Sequence, residues 1–165
     1  MDSVLSVDLG ATKFAAALVD ETGAISRRRQ VAVDHSADAE GLWGQLVDLV
    51  DDVRGEAIEA GEHPLAVGIG SAGPSTANLE RVSPLNLPAW REFPLQERMG
   101  DLTGLPVAGD GDTKALALGE GWLGAARGHA NYLAMVVSTG VGAGLVVDGQ
   151  LIHGEDGNAG HLGHL

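Results

Sequence analysis

Val4-Leu5-Ser6-Val7-Asp8-Leu9-Gly10-Ala11-Thr12-Lys13 decides the fold. An apolar run of strand type ends in an acid and a glycine turn, and a second apolar run, Lys13 to Val19, starts at once. Asp20-Glu21-Thr22-Gly23 turns the chain again, and Ala24 to Val33 holds a third strand. A helix then follows, capped by Ser36 or Asp38 and running to about Ala60. Leu42, Leu46, Leu49, Val53 and Ala57 lie along one face of it. Gly61 is its expected stop and Pro64 bars continuation. Further on, the spacing predicts a strand at Leu65–Ile69, a helix at Leu95–Leu102, a strand at Pro106–Ala108 and a helix at Thr113–Leu123 begun by Asp112. The order β-β-β-α-β-α-β-α implies an α/β layer around a mixed sheet. After about Arg127 a new run of strands begins: Tyr132–Val137, then a hairpin from Leu145 to Ile152 turning at Asp148-Gly149. The expected organisation is one α/β domain over residues 1–127 and the start of a second over 128–165.

Composition narrows the function. The chain has 165 residues, a formal net charge of −13 and 44% hydrophobic residues, enough for a packed core. A strongly acidic balance argues against nucleic acid as a partner. The basic run Arg27 to Arg29 reads as a solvated strand. With no cysteine, disulfides and thiolate chemistry are excluded. No apolar stretch reaches the roughly 18 residues of a membrane span, and no secretory signal opens the chain. The expected location is the cytoplasm.

Two turns and one aspartate carry the chemistry. In Asp8-Leu9-Gly10-Ala11-Thr12-Lys13, small residues let backbone N–H groups approach an anion, and Asp8 at a strand end suits a hydrated Mg²⁺. Ser138-Thr139-Gly140-Val141-Gly142-Ala143-Gly144 is a second such turn between strands. A tight hairpin and a glycine bulge are the ordinary alternatives, and neither turn matches a P-loop. Asp112, where a strand meets a helix, is placed either as an N-cap or as a carboxylate able to take a proton from a hydroxyl. Asp110 competes for both roles. Asn86, between two prolines, is either a turn residue or an amide offered to a polyhydroxylated ligand. His161 and His164 are two ligands at most, too few for a metal site alone.

In this order the pieces resemble the ROK family of sugar kinases and related repressors. Asp8 to Lys13 is similar to the family's first phosphate motif, Asp-x-Gly-Gly-Thr-Lys. Gly70 to Pro74 and Asn86-Leu87-Pro88-Ala89-Trp90 resemble its sugar loops, Asp112 its catalytic aspartate in Asn-Asp-x-Asn, Ser138 to Gly144 its second phosphate motif, and Ala159 to His164 its Glu-x-Gly-His segment. The resemblance implies an actin-like ATPase (ribonuclease H-like) fold closing over ATP and sugar. It implies Asp112 as the base that takes the proton of a sugar hydroxyl, normally the 6-hydroxyl. It gives the ATP phosphates to Asp8, Gly10, Ala11, Thr12, Lys13, Ser138, Thr139, Gly140, Gly142 and Gly144, with Mg²⁺ on Asp8. It gives the sugar to Gly73, Asn86, Asp112, His161 and His164, with His164 also a zinc ligand where downstream cysteines complete a Zn²⁺ site. A homodimer is common in the family.

The departures are specific. Ala11 and Gly111 stand where the family has glycine and asparagine, Lys114 replaces its second asparagine, and His161 its glutamate. The His-x-Gly-His form resembles bacterial N-acetylmannosamine kinases, which points towards an N-acetylhexosamine. Family members are about twice as long, so an isolated first half is expected to expose apolar surface and to be a poor catalyst. Lys114 and Gly111 beside the expected base keep a non-catalytic sugar or ATP sensor as the alternative. A DNA-binding repressor would need a helix-turn-helix ahead of the first strand, where only about three residues stand.

Overall fold

The computed structural model describes residues 2–138 and 140–162. A five-stranded sheet has the order β3-β2-β1-β4-β5, with β1 Ser3–Leu9, β2 Lys13–Asp20, β3 Ile25–Ala32, β4 Ala66–Ser71 and β5 Val107–Gly111. β1 pairs antiparallel with β2, and β2 with β3, while β4 and β5 run parallel to β1. β1 buries Leu5, Val7 and Leu9 on one face and turns Val4, Ser6 and Asp8 to the other.

Helix α1, Ala39–Glu59, covers β2 and β3 with Leu42, Leu46, Leu49, Val53 and Ala57 among its buried residues. Asp38 is its N-cap, accepting from the Gly41 N–H at 2.8 Å, and Gly61 at φ 73° ends it. The remaining core comes from an irregular stretch. Leu79, Val82, Leu87, Trp90 and Phe93 are all buried between residues 77 and 95. Trp90 stacks on Phe93 at 4.4 Å and on Phe14 at 5.8 Å, and its Nε1 donates to the Ala39 carbonyl at 3.2 Å. Within the motif expected to hold sugar, Trp90 is therefore a core residue, and Asn86 is left exposed.

Helix α2, Leu95–Thr103, leads to β5, and α3, Asp112–Trp122, follows directly. The structure extends β5 to Gly111 rather than ending it at Ala108, because parallel pairing with β4 recruits Gly109, Asp110 and Gly111. Glycine and aspartate carry little strand signal of their own. The run Arg27 to Arg29 lies on the largely exposed β3, as expected, and two of its arginines are paired. Arg27 makes a two-pronged ion pair with Glu62, at 3.0 and 2.7 Å, and Arg29 pairs with Glu56 of α1.

A second antiparallel sheet, β6 Tyr132–Val137, β7 Val141–Val147 and β8 Gln150–Leu151, packs on α3. β7 begins four residues before the expected Leu145. Gly142 and Gly144 lie on its α3 side, and the opposite face leaves Leu133, Met135, Val137, Leu145 and Val147 exposed. Asp148 and Gly149 both take positive φ at the β7–β8 turn, as that dipeptide demands. The boundary expected at 127/128 falls in the connection from α3 to β6. No helix is long and apolar enough to cross a membrane among the described residues.

Candidate functional site

Parallel strands β1, β4 and β5 end together, and the loops leaving them meet α3 there. Asp8 lies opposite Gly70 in the β1–β4 register. A Cβ on Gly70 would stand 3.6 Å from the Asp112 Cα and 3.7 Å from the Ala115 side chain. The first turn of α3 therefore lies within van der Waals reach of β4 beside Asp8. Asp112 is the first helical residue rather than the cap, which is Gly111. Its Oδ1 accepts the Thr113 N–H at 2.7 Å, and it has no cation partner among the described residues. The Asp8 carboxyl is held above its ordinary pKa, first by burial and then by the charge of Asp112. Lys13 and Arg28 oppose the shift.

The first turn is closed by its own bond, from the Gly10 N–H to the Lys13 carbonyl at 3.1 Å. The N–H groups of Ala11 and Thr12 have no acceptor among the described residues, so these, not Gly10, are free to meet an anion. Ala11 has no positive φ, so alanine fits where the family has glycine.

The glycines of the second turn divide. A Cβ on Gly144 would strike Ala117 and stand 2.6 Å from the Thr113 carbonyl oxygen, and one on Gly142 would stand 2.8 Å from the Thr113 Cγ2. Both serve the contact of β7 with α3. Gly140 has nothing within 4 Å of a would-be Cβ. β7 thus starts beside the first turn of α3, at Thr113, and runs along the helix towards Ala117. Thr139 lies outside the described residues.

His161 sits against Gly73, where a Cβ would come within 3.1 Å of its Nε2. Asn158 bonds both backbone groups of Ser75, at 3.2 and 3.1 Å, so the 153–161 segment is held on the loop after β4. His164 lies outside the described residues. No cluster of three metal-ligating side chains occurs among those described. The feature that sequence reasoning left open is Lys114, which is buried and bonded to Asp110 at 3.1 Å rather than to Asp112. A carboxylate four residues earlier in the sequence was the available signal.

A mixed five-stranded sheet and a second sheet packed on the same helix, α3, are the architecture of an actin-like ATPase fold. The chain belongs to the ROK family, whose model matches residues 4–165. It is 36% identical to a glucokinase of Thermotoga maritima, over 98% of this chain and 50% of that protein. It is 37% identical to an N-acetylmannosamine kinase of Salmonella arizonae, over 98% and 53%. Its fold matches a ROK family glucokinase from Streptomyces griseus, solved in complex with glucose and AMPPNP, with a TM-score of 0.83 and 32% identity over 99% of this chain and 50% of that one. The chain spans about half the length of the curated relatives it matches.

Proposed function

We propose that this chain supplies the N-terminal half of an ATP-dependent sugar kinase that phosphorylates the 6-hydroxyl of a hexose or an N-acetylhexosamine. The observation that carries the reading is Asp112: a carboxylate at the start of α3, beside Asp8, with no cation partner among the described residues. Asp112 takes the proton of the sugar hydroxyl as that oxygen attacks the γ-phosphate in line. Ala11, Thr12 and Lys13 hold phosphate from one side, and Ser138, Thr139 and Gly140 from the other. Gly73, Asn86, His161 and His164 hold the sugar, with His161 in place of a carboxylate tilting the choice towards an N-acetylhexosamine. Two adjoining carboxylates fit a cation. Asp8 would hold Mg²⁺, which when bound offsets phosphate charge. A Zn²⁺ at His164 would need ligands from beyond this chain. The exposed apolar face of β6 and β7 supports packing by a further domain, with 128–165 as its start.

Lys114 gives a sensor reading no footing, because its charge is committed to Asp110. The test is ADP release by the intact protein across a panel of hexoses and N-acetylhexosamines. Release should require sugar, and Asp112→Asn should lower it by roughly 10²–10⁴. Turnover that survives the substitution removes Asp112 as the base.

A further inference from the structure

Lys114 is 2% exposed and is the buried charged residue among those described. A buried ammonium persists only where its protons find acceptors. Here Nζ donates to Asp110 Oδ1 at 3.1 Å and to the Gly157 carbonyl at 2.5 Å. Asp110 Oδ1 also accepts the Gly111 N–H at 2.7 Å, and its Oδ2 meets His153 Nδ1 at 3.2 Å. One cation therefore joins three pieces of chain: the end of β5, the first turn of α3 and the segment after β8. That segment is clipped at its other end by Asn158 on Ser75. Asp112 lies midway between Asp110 and Lys114 in sequence, and His161 lies four residues beyond Gly157. Lys114 touches neither. The asparagine that the family carries here is two bonds shorter, so it could not span from α3 to Gly157 in the same way.

We infer that Lys114 is a positioning residue, which holds the 153–161 loop in register with the N-terminus of α3 so that sugar meets His161 already set against Asp112. The inference rests on the sugar-kinase reading above. It makes loop order, not the chemical step, the property that depends on the lysine.

The test uses the intact protein with Lys114→Met, Lys114→Arg and the double variant Asp110→Asn/Lys114→Met. The readouts are the KM for sugar, the KM for ATP, the melting temperature and amide hydrogen exchange. Lys114→Met should raise the sugar KM about tenfold or more, leave the ATP KM within about twofold, and speed exchange across 153–160 by about tenfold. Lys114→Arg, which keeps the charge and the donors, should stay close to wild type. The double variant removes the unpaired carboxylate and should recover most of the melting temperature while keeping the raised sugar KM and fast exchange. It also decides the matter if Lys114→Met alone does not fold. A double variant with wild-type sugar KM and wild-type exchange overturns the inference and leaves Lys114 a fold-stabilising residue only. A wild-type protein that phosphorylates no sugar defeats the kinase reading instead, and exchange across 153–160 then decides the strut by itself.

Discussion

Substituting Gly144 by alanine tests whether the glycines of the second turn serve packing or ligand. Gly144 pairs with Ala134 across the β6–β7 ladder and turns its bare Cα to α3. An added Cβ would overlap Ala117 and stand 2.6 Å from the Thr113 carbonyl oxygen and 3.0 Å from the Lys114 Cα. Two of the three obstacles are backbone and the third is a β-carbon, so no rotamer change relieves them. β7 and α3 must separate by roughly an ångström along an interface that buries Ala117 completely. Overpacking costs about 1–3 kcal/mol, and a contact with so little give belongs at the upper end. For a domain of this size that is a fall in Tm of about 4–12 °C. Gly142→Ala meets the movable Thr113 Cγ2 and should cost no more than about 1 kcal/mol. Gly140→Ala meets nothing and has no positive φ, so it should be neutral or add up to about 1 kcal/mol. The assay is urea unfolding of all three, with midpoints compared at constant slope. Nucleotide calorimetry on the intact protein completes it, where Gly140→Ala should weaken binding and leave stability intact. A Gly144→Ala midpoint equal to wild type, or a Gly140→Ala loss as large as that of Gly144→Ala, refutes the division.

Trp90→Ala removes a fully buried ring stacked between Phe14 and Phe93 and should cost about 3–5 kcal/mol in urea unfolding; a loss under about 1 kcal/mol would mean the ring is not core. Asp8 yields a signed pH prediction. Its raised pKa means the folded state holds the proton more tightly, so the ionised carboxyl is a cost that is absent below about pH 3.9 and develops as pH rises through the folded value. Asp8→Asn should therefore gain on wild type between about pH 4 and 7 in urea midpoints, and a gain in the opposite direction would show that Asp8 is stabilised as the anion. The apolar face of β6 and β7 predicts that the 165-residue chain by itself associates. Met135→Lys, in the middle of that face, should lower the sedimenting mass, and an unchanged distribution would place the contact elsewhere.

The elements legible in the sequence are those with a local physical cause. Asp38 and Gly61 mark the ends of α1 because cap and stop are chemistry of single residues, and Asp148-Gly149 marks a turn because both residues accept positive φ. What stayed hidden depends on partners far along the chain. Val82, Leu87, Trp90 and Phe93 have neither helical nor strand spacing, so nothing in residues 77–95 announces a core. Arg27 finds Glu62 and Arg29 finds Glu56 only because β3 lies under α1. The packing of Gly142 and Gly144 against α3 is invisible in sequence, because it needs the helix they approach to be in place. Gly70 belongs in sequence to a segment resembling a sugar loop, and only the β1–β4 register shows it opposite Asp8 and in contact range of α3.

Two aspartates two residues apart looked interchangeable, and their surroundings separate them. Asp110 spends Oδ1 on the Gly111 N–H and Lys114, and Oδ2 on His153. Both oxygens of Asp110 are therefore engaged within the fold, which leaves Asp112 the less committed of the two acids. Asp112 spends one oxygen on the neighbouring Thr113 N–H and faces Asp8, a second acid. On the kinase reading, a base needs a free oxygen, and developing phosphate charge needs cations nearby that are not tied to the base itself. On that reading Lys13 and Arg28, whose charges act on Asp8, would serve the second need, while Lys114 is committed to Asp110. On the kinase reading, a lysine in place of the family's asparagine near Asp112 does not disturb the proposed base, because its charge pairs with Asp110. Asp110→Asn, made alone, leaves the buried ammonium of Lys114 without its carboxylate, and Asp112, two residues away on the same helix, faces elsewhere; in urea unfolding the single variant should therefore be less stable than Asp110→Asn/Lys114→Met, and the reverse order would show that Asp110 does not hold the charge of Lys114.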